Sequence, residues 1–305
     1  MNAFIWDIDP TIAHLGPLQL RYYGIIFATM LYIGFLIWRK QALRGGISGE
    51  LADKYLIWGV VGVLAGARLG HCFFYEPERY LSDPITILFF WKGGLASHGA
   101  TIGVALSLIL FAKKYKLGVL DTLDRFTMSS AVGAAAVRLG NFFNSEIVGR
   151  KTDVPWAVIF PLHDCRSLTM CSEAVPRHPS QLYEFAFGLF VLLVLYLADK
   201  IAGGEKRPLG MMTGIFLSLY FLGRFFVEFV KEYQVDKLIE DHSALTMGQY
   251  LSIVPFLCGI TILTWSVVNA RKKARQPAPA SPPPERDETP PEKTKRRKKQ
   301  KRRKK

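Results

Sequence analysis

Three arginines, a histidine and a glutamate lie inside otherwise apolar stretches of this 305-residue chain. Arg138 and Asn141 are three residues apart, so a helix would place both on one face. Arg224 and Glu228 are four apart and would share a face and pair. Arg68 follows a run of small residues. His98 sits in the stretch G-G-L-A-S-H-G-A, whose small side chains leave room around an imidazole. An arginine guanidinium is a planar fork that stays charged when partly desolvated and takes phosphate oxygens two at a time. Several arginines with too few acids to neutralise them suit a polyatomic anion. A neutral histidine beside them can take up a proton near pH 7. One arginine alone would more simply snorkel to a surface or form a structural pair. Arg68, Arg138 and Arg224 together favour a site. For His98 the residues leave packing and proton transfer equally open.

The elements that position these groups must be membrane helices. Half of the residues are hydrophobic, Phe alone occurs 21 times, and mean hydropathy is +0.17 despite a highly charged end. A spanning helix needs about 20 predominantly apolar residues. Seven stretches qualify on inspection, at 20–38, 55–75, 93–112, 118–143, 181–198, 209–230 and 247–268. Residues 85–91 are apolar but too short, and read as a re-entrant or interfacial piece. Gly59, Gly62, Ala65 and Gly66 in the second stretch, and Ala131 with Gly133 to Ala136 in the fourth, suit close helix packing in lipid. Lys and Arg concentrate in alternate short connections: Arg39, Lys40, Arg44 and Lys54; Lys113, Lys114 and Lys116; Lys200, Lys206 and Arg207. By the charge bias of membrane proteins these face the cytoplasm. The N-terminus and the loops at 76–92, 144–180 and 231–246 then lie outside.

That orientation sets the depth of each polar group. Tyr23, Arg68, His98, Arg138, Asn141, Gln181, Tyr183, Glu184, Arg224 and Glu228 all fall in the outer third of the bilayer, where the natural polyatomic anion is a phospholipid headgroup. Ionisable groups inside a span mark function by default. Asp121, Asp124 and Arg125 fall at the inner end of the fourth stretch and read as interfacial charges that snorkel or pair locally.

The expectation is an all-α polytopic membrane protein. It has an N-terminal extracytoplasmic or interfacial segment at 1–19, seven transmembrane helices within a catalytic unit at 20–268, and a small extracytoplasmic head at 144–180. A basic, disordered cytoplasmic tail covers 269–305. From residue 271 onward there are sixteen Lys or Arg against four Asp or Glu, so most of the net charge of +14 belongs to the tail. Its proline content prevents a core, and its charge suits anionic inner-leaflet lipid rather than any specific nucleic acid. Cys165 and Cys171 lie close together in the head loop, which leaves a disulfide open. The four cysteines form no C-x-x-C pair and suggest no metal site. Residues 1–19 carry Asp7, Asp9 and two prolines with no basic run, unlike a cleavable signal peptide.

The stretch R-L-G-N-F-F-N-S-E-I-V-G-R at 138–150, with G-G-L-A-S-H-G-A, H-P-S-Q-L-Y-E and R-F-F-V-E-F, resembles the bacterial prolipoprotein diacylglyceryl transferases over about residues 15–268. The resemblance implies an inner-membrane enzyme with an outward N-terminus. It would move the diacylglyceryl group of phosphatidylglycerol onto the lipobox cysteine thiol of a preprolipoprotein, forming a thioether and releasing glycerol phosphate. It implies no cofactor and no metal. His98, Arg138, Arg224 and Glu228 become catalytic candidates. Tyr23, Asn141, Glu146, Gly149, Tyr183 and Tyr220 become substrate-binding candidates, joined by Arg68 from the anion-site argument. Gly99-Ala100 stands where the family often has two glycines, and Lys231 where many members have arginine. Segment 161–177 is comparatively long, and the basic tail lies outside the signature. A transporter or flippase for an anionic lipid or metabolite would use the same arginines, but such sites lie near the midplane between repeats, and the chain shows no internal repeat.

Overall fold

The computed structural model of the protein describes residues 3–16, 18–89, 93–169, 171–232 and 245–275. Its long helices are α1 (Tyr22–Arg44) and α2 (Gly49–Phe74), then, after the short α3 (Pro77–Ser82), α4 (Ser97–Lys114) and α5 (Val119–Phe143). A short α6 (Pro161–Asp164) precedes α7 (Ser180–Ile201), α8 (Met211–Val227) and α9 (Met247–Arg275). The main packed pairs are α1 with α5, α2 with α4, α5 with α7, and α8 with α9; α5 also touches α4 and α8. The expectation of seven membrane spans is corrected here. Among the described residues, five helices are long and apolar enough to cross a membrane: α1, α2, α7, α8 with its following turn, and α9. The two that fall short have identifiable reasons. Eighteen residues of α4 cover only about 27 Å, and the helix begins Ser97-His98 and ends Lys113-Lys114. Helix α5 carries Asp121, Asp124, Arg125 and Arg138, and most of its polar side chains are buried against neighbouring helices. A helix enclosed by protein has no need of an apolar surface.

The charges at the start of α5 do more than snorkel. Asp121 pairs locally with Arg125 at 2.8 Å, as expected. Asp124 is buried and accepts from the backbone amides of Gly210 (2.6 Å) and Thr213 (2.8 Å) and from the Thr213 hydroxyl (2.6 Å). It thus caps the start of α8 from another helix, satisfying amides that have no intrahelical acceptor. Arg44 binds both carboxylate oxygens of Asp199, and Arg207 reaches the same group at 2.8 Å. Glu205, between α7 and α8, joins Arg44 and Arg125, each at 2.7 Å. The hydrogen bond from Arg125 is the main reason that the Glu205 carboxyl is pushed down to about 2, against a smaller opposing effect of burial. A depressed folded-state pKa contributes stability that is complete above the unfolded value and lost as pH falls through the folded one. Glu205→Gln should therefore lower the melting temperature of the purified protein near neutral pH. The gap from the parent should close between about pH 4.5 and about pH 2, and a pH-independent gap would contradict the ion-pair account.

Helices α2 and α4 meet backbone to backbone. A Cβ added at Gly66 would run into the Gly99 carbonyl oxygen, one at Gly99 into the Gly66 oxygen, and one at Gly103 into the Gly62 oxygen. Four-residue glycine spacing on both helices permits this approach, which gives packing contacts where lipid supplies no hydrophobic drive.

At the opposite end the chain forms a small head that includes β structure absent from the all-α expectation. Strand β1 (Phe4–Ile5) runs parallel to β4 (Val158–Ile159), which pairs antiparallel with β5 (Pro176–Arg177). A hairpin of β2 (Thr11–Leu15) and β3 (Leu18–Arg21) leads directly into α1. Cys165 and Cys171 are joined in a disulfide, and Arg177 binds Asp164 at 2.6 Å. Residues 85–91 begin within a 3-10 turn at Pro84–Leu88. Helix α9 continues through Arg275, so 269–275 extend the last helix rather than begin the tail. The rest of the expected tail, and most of the 231–246 loop, lie outside the described residues.

Candidate active site

The signature segment begins as the last turns of α5, where Arg138 and Asn141 are buried. The helix stops because Ser145 (φ 54°) and Ile147 (φ 56°) take left-handed backbone conformations. Such conformations are rare for a β-branched residue and tend to cluster at functional sites. The turn folds Glu146 back so that its amide donates to the Asn141 carbonyl at 2.9 Å. The Glu146 carboxylate accepts from the side-chain amides of Asn141 (3.4 Å) and Asn144 (3.3 Å). Gln181 and Ser180 at the start of α7 donate to the carbonyls of Glu146 (2.8 Å) and Ile147 (3.0 Å). Gly149 forms a bridge with Lys231 and donates to the His178 carbonyl at 2.9 Å. A Cβ there would lie 2.5 Å from that same oxygen, so the strand-like seam requires glycine. Arg150 donates to the Val230 and Lys231 carbonyls, each at 2.8 Å. One polar loop thus locks the end of α5 to the beginning of α7 and the end of α8.

A buried charge cluster lies beneath this seam. Arg138 forms an ion pair with Glu184 of α7. Lys231 reaches Glu184 and Glu228 at 3.2 Å each. The expected Arg224–Glu228 pair does not form. Glu228 keeps helical backbone angles and its amide donates to the Arg224 carbonyl, so the two residues still share a face, but the Glu228 carboxylate is taken up by Lys231 three residues on. Glu228 instead pairs with Lys231 and rests against Gly248, where a Cβ would come within 2.5 Å of the carboxylate. Arg224 is half-buried, and its guanidinium makes no hydrogen bond or ion pair among the described residues. Among the described residues, the ion pairs of the cluster join Arg138 and Lys231 to Glu184 and Glu228 and leave Arg224 without one.

Other candidates converge on the cluster. The charges of Arg224, Arg138, Lys231 and Glu228 all act on His98, at the second residue of α4. Tyr220 lies within electrostatic reach of Arg138. The Tyr23 ring packs against Gly140, within electrostatic reach of Glu146 and Arg138. Two candidates are placed differently. The Tyr183 hydroxyl accepts from Trp156 at 2.7 Å and contacts His178 at 3.1 Å, which ties it to the head. Arg68 directs its guanidinium to backbone carbonyls of residues 86–94. The structure adds Glu184 and Lys231 to the centre. The sequence shows Glu184 near the start of an apolar stretch without giving it a role, and Lys231 only as a departure from the family pattern; a carboxylate close to the start of an apolar helix is the signal that points to the first.

Comparison with known proteins identifies the family. Residues 10–265 match the family model described as prolipoprotein diacylglyceryl transferase. A phosphatidylglycerol--prolipoprotein diacylglyceryl transferase of Nitrosomonas europaea is 40% identical over 266 residues, covering 85% of this chain and 90% of the relative. Relatives of the same description from Tolumonas auensis and Chloroherpeton thalassium are 38% and 37% identical, covering 99% and 97% of their own lengths. With two-thirds and more of the chain matched at this level, and the signature loop folded around a buried charge cluster, the chain belongs to the prolipoprotein diacylglyceryl transferase family.

Proposed function

We propose that the Arg138–Arg224–Lys231 cluster is the phosphate site of a lipid-transfer reaction and that His98 is its base. The protein is an enzyme of the bacterial inner membrane. It transfers the diacylglyceryl group of phosphatidylglycerol to the lipobox cysteine of preprolipoproteins, forming a thioether and releasing glycerol phosphate. The cysteine sulfur attacks the diacylglycerol carbon that bears the phosphate ester, the carbon–oxygen bond breaks, and the electron pair leaves with the phosphate. Arg138 and Arg224 hold that phosphate and stabilise the charge developing on it. His98 takes the thiol proton, since the thiolate is the nucleophile. Glu184 and Glu228 hold Arg138 and Lys231 in place. Asn141, Glu146, Tyr23 and Tyr220 position the headgroup, and Gly149 keeps the seam closed above it. Tyr183 acts through the head.

The observation that carries this reading is Arg224, a half-buried guanidinium with no anion of its own beside an otherwise paired cluster. The N-terminus and head face outward and the C-terminus faces the cytoplasm. In support, the basic groups Arg44, Arg125 and Arg207 gather at the end opposite the head. The tail's lysines and arginines attract anionic inner-leaflet lipid.

The test supplies purified protein in vesicles with phosphatidylglycerol and a lipobox peptide, scoring thioether product and glycerol phosphate. The parent should give both. His98→Gln should lose most of its rate near neutral pH and regain it as pH approaches the free thiol pKa of about 8.5. Lipid translocation without product would favour a flippase, and an unaltered pH profile in His98→Gln would remove the base assignment.

A further inference from the structure

Arg68 is nearly fully buried, at 6% exposure, and lies in the outer half of α2. Its guanidinium makes four hydrogen bonds, none to a side chain. Nε donates to the Ile87 carbonyl at 2.8 Å and Nη2 to Thr86 at 2.7 Å. Nη1 donates to Gly93 at 2.6 Å and Gly94 at 3.2 Å. The Tyr80 ring stacks beneath it at 4.8 Å. Every nitrogen of the fork is thus directed at backbone, and the carbonyls come from both ends of the connection between α3 and α4. Four of its five N–H donors are so used, which leaves no free pair for the two-pronged grip of a phosphate.

What Arg68 holds is the lead-in to α4. Gly93 and Gly94 adopt positive φ (91° and 76°). At Gly94 a Cβ would approach to 2.8 Å of Arg68 Nη1 and 2.5 Å of the His71 ring. Two residues later the Ala96 amide donates to the Ala67 carbonyl, one residue before Arg68, at 2.9 Å. Ser97 then opens α4, and His98 follows.

We infer that Arg68 is a positioning residue for His98: it fixes the 93–96 segment to α2 and so sets where the imidazole meets the phosphate cluster, without binding substrate itself. The inference rests on the base assignment for His98. Lysine cannot replace the fork, because one ammonium cannot span four carbonyls on two sides of the loop.

The experiment measures thioether formation against phosphatidylglycerol concentration and against pH for the parent, Arg68→Lys, Gly94→Ala and His98→Gln. Gly94→Ala disturbs the same contact from the loop side and keeps the charge. Arg68→Lys and Gly94→Ala should each lose at least tenfold in kcat near neutral pH with KM for phosphatidylglycerol changed less than twofold. Both should recover toward the thiol pKa as His98→Gln does. If Arg68→Lys fails to fold, Gly94→Ala alone decides by the same readouts. A raised KM with kcat kept would make Arg68 a substrate ligand, and a loss that is uniform across pH would make it a general structural anchor; either result overturns the inference while leaving His98 as base. Full neutral-pH activity in His98→Gln would overturn both readings.

Discussion

Arg138→Ala should lower thioether formation by about three orders of magnitude, and raising the pH should not restore it. Losing one preorganised donor to a developing oxyanion costs about 100- to 1,000-fold in rate, and a full positive charge in a water-poor site belongs at the upper end. The variant also leaves Glu184 buried at 7% exposure with only Lys231 for a partner. Breaking a buried pair by removing one member costs about 3–5 kcal/mol, so stability will fall as well and must be separated from chemistry. The double variant Arg138→Met/Glu184→Leu does this. Removing both charges is far less costly than removing one, so the double variant should regain most of the lost melting temperature and none of the transfer. Activity that returned with the fold would reduce Arg138 to a structural ion pair. The contrast with His98→Gln is diagnostic: a missing base can be replaced by hydroxide, but a missing phosphate ligand cannot.

The arginines were legible in the sequence because a charge inside an apolar segment is conspicuous whatever it touches, and the i,i+3 spacing of Arg138 and Asn141 survives since α5 is regular to Phe143. The pairing was not legible. Arg224 and Glu228 have ideal helical spacing and keep it, yet the Glu228 carboxylate goes to Lys231, and spacing alone does not tell which of two nearby cations a carboxylate will take. Asp124 looked interfacial because its acceptor role depends on amides 86 and 89 positions away. Arg68 looked like an anion ligand because backbone carbonyls leave no trace in side-chain identity; only the Gly93-Gly94 pair hinted at a strained connection. The head's strands are two to five residues long, too short for an alternating pattern to register against flanking loop. The count of spans went wrong for a related reason. Stretches 93–112 and 118–143 contain enough apolar residues to suggest spanning, but the first becomes a short helix with charged and polar ends. The second is the central helix, whose polar groups are answered by its neighbours.

Gly66→Leu should abolish both the fold and the activity, and Gly66→Ala should already be harmful. At Gly66 a Cβ would overlap the Gly99 carbonyl oxygen and lie 2.7 Å from the Gly103 Cα. These are backbone atoms of a facing helix and cannot rotate aside as a side chain can. The only relief is to separate α2 from α4. Overpacking in a close-packed interior typically costs about 1–3 kcal/mol, and more should be expected here because the same displacement weakens the Gly62–Gly103 and Gly70–Gly99 contacts. Gly133→Ala on α5 is the matched control: its nearest neighbour would be the flexible Met30 sulfur at 3.6 Å, and it should keep the parental melting temperature. The functional consequence follows from His98 lying one residue before Gly99. Moving α4 by the width of a methyl group moves the imidazole relative to Arg138 on α5 and Arg224 on α8. Whatever fraction of Gly66→Ala remains folded should therefore show reduced transfer that recovers at high pH, as His98→Gln does. Parental stability in Gly66→Ala would mean that the two helices are not held at backbone contact. Parental activity in a destabilised Gly66→Ala would mean that His98 is not fixed through this interface.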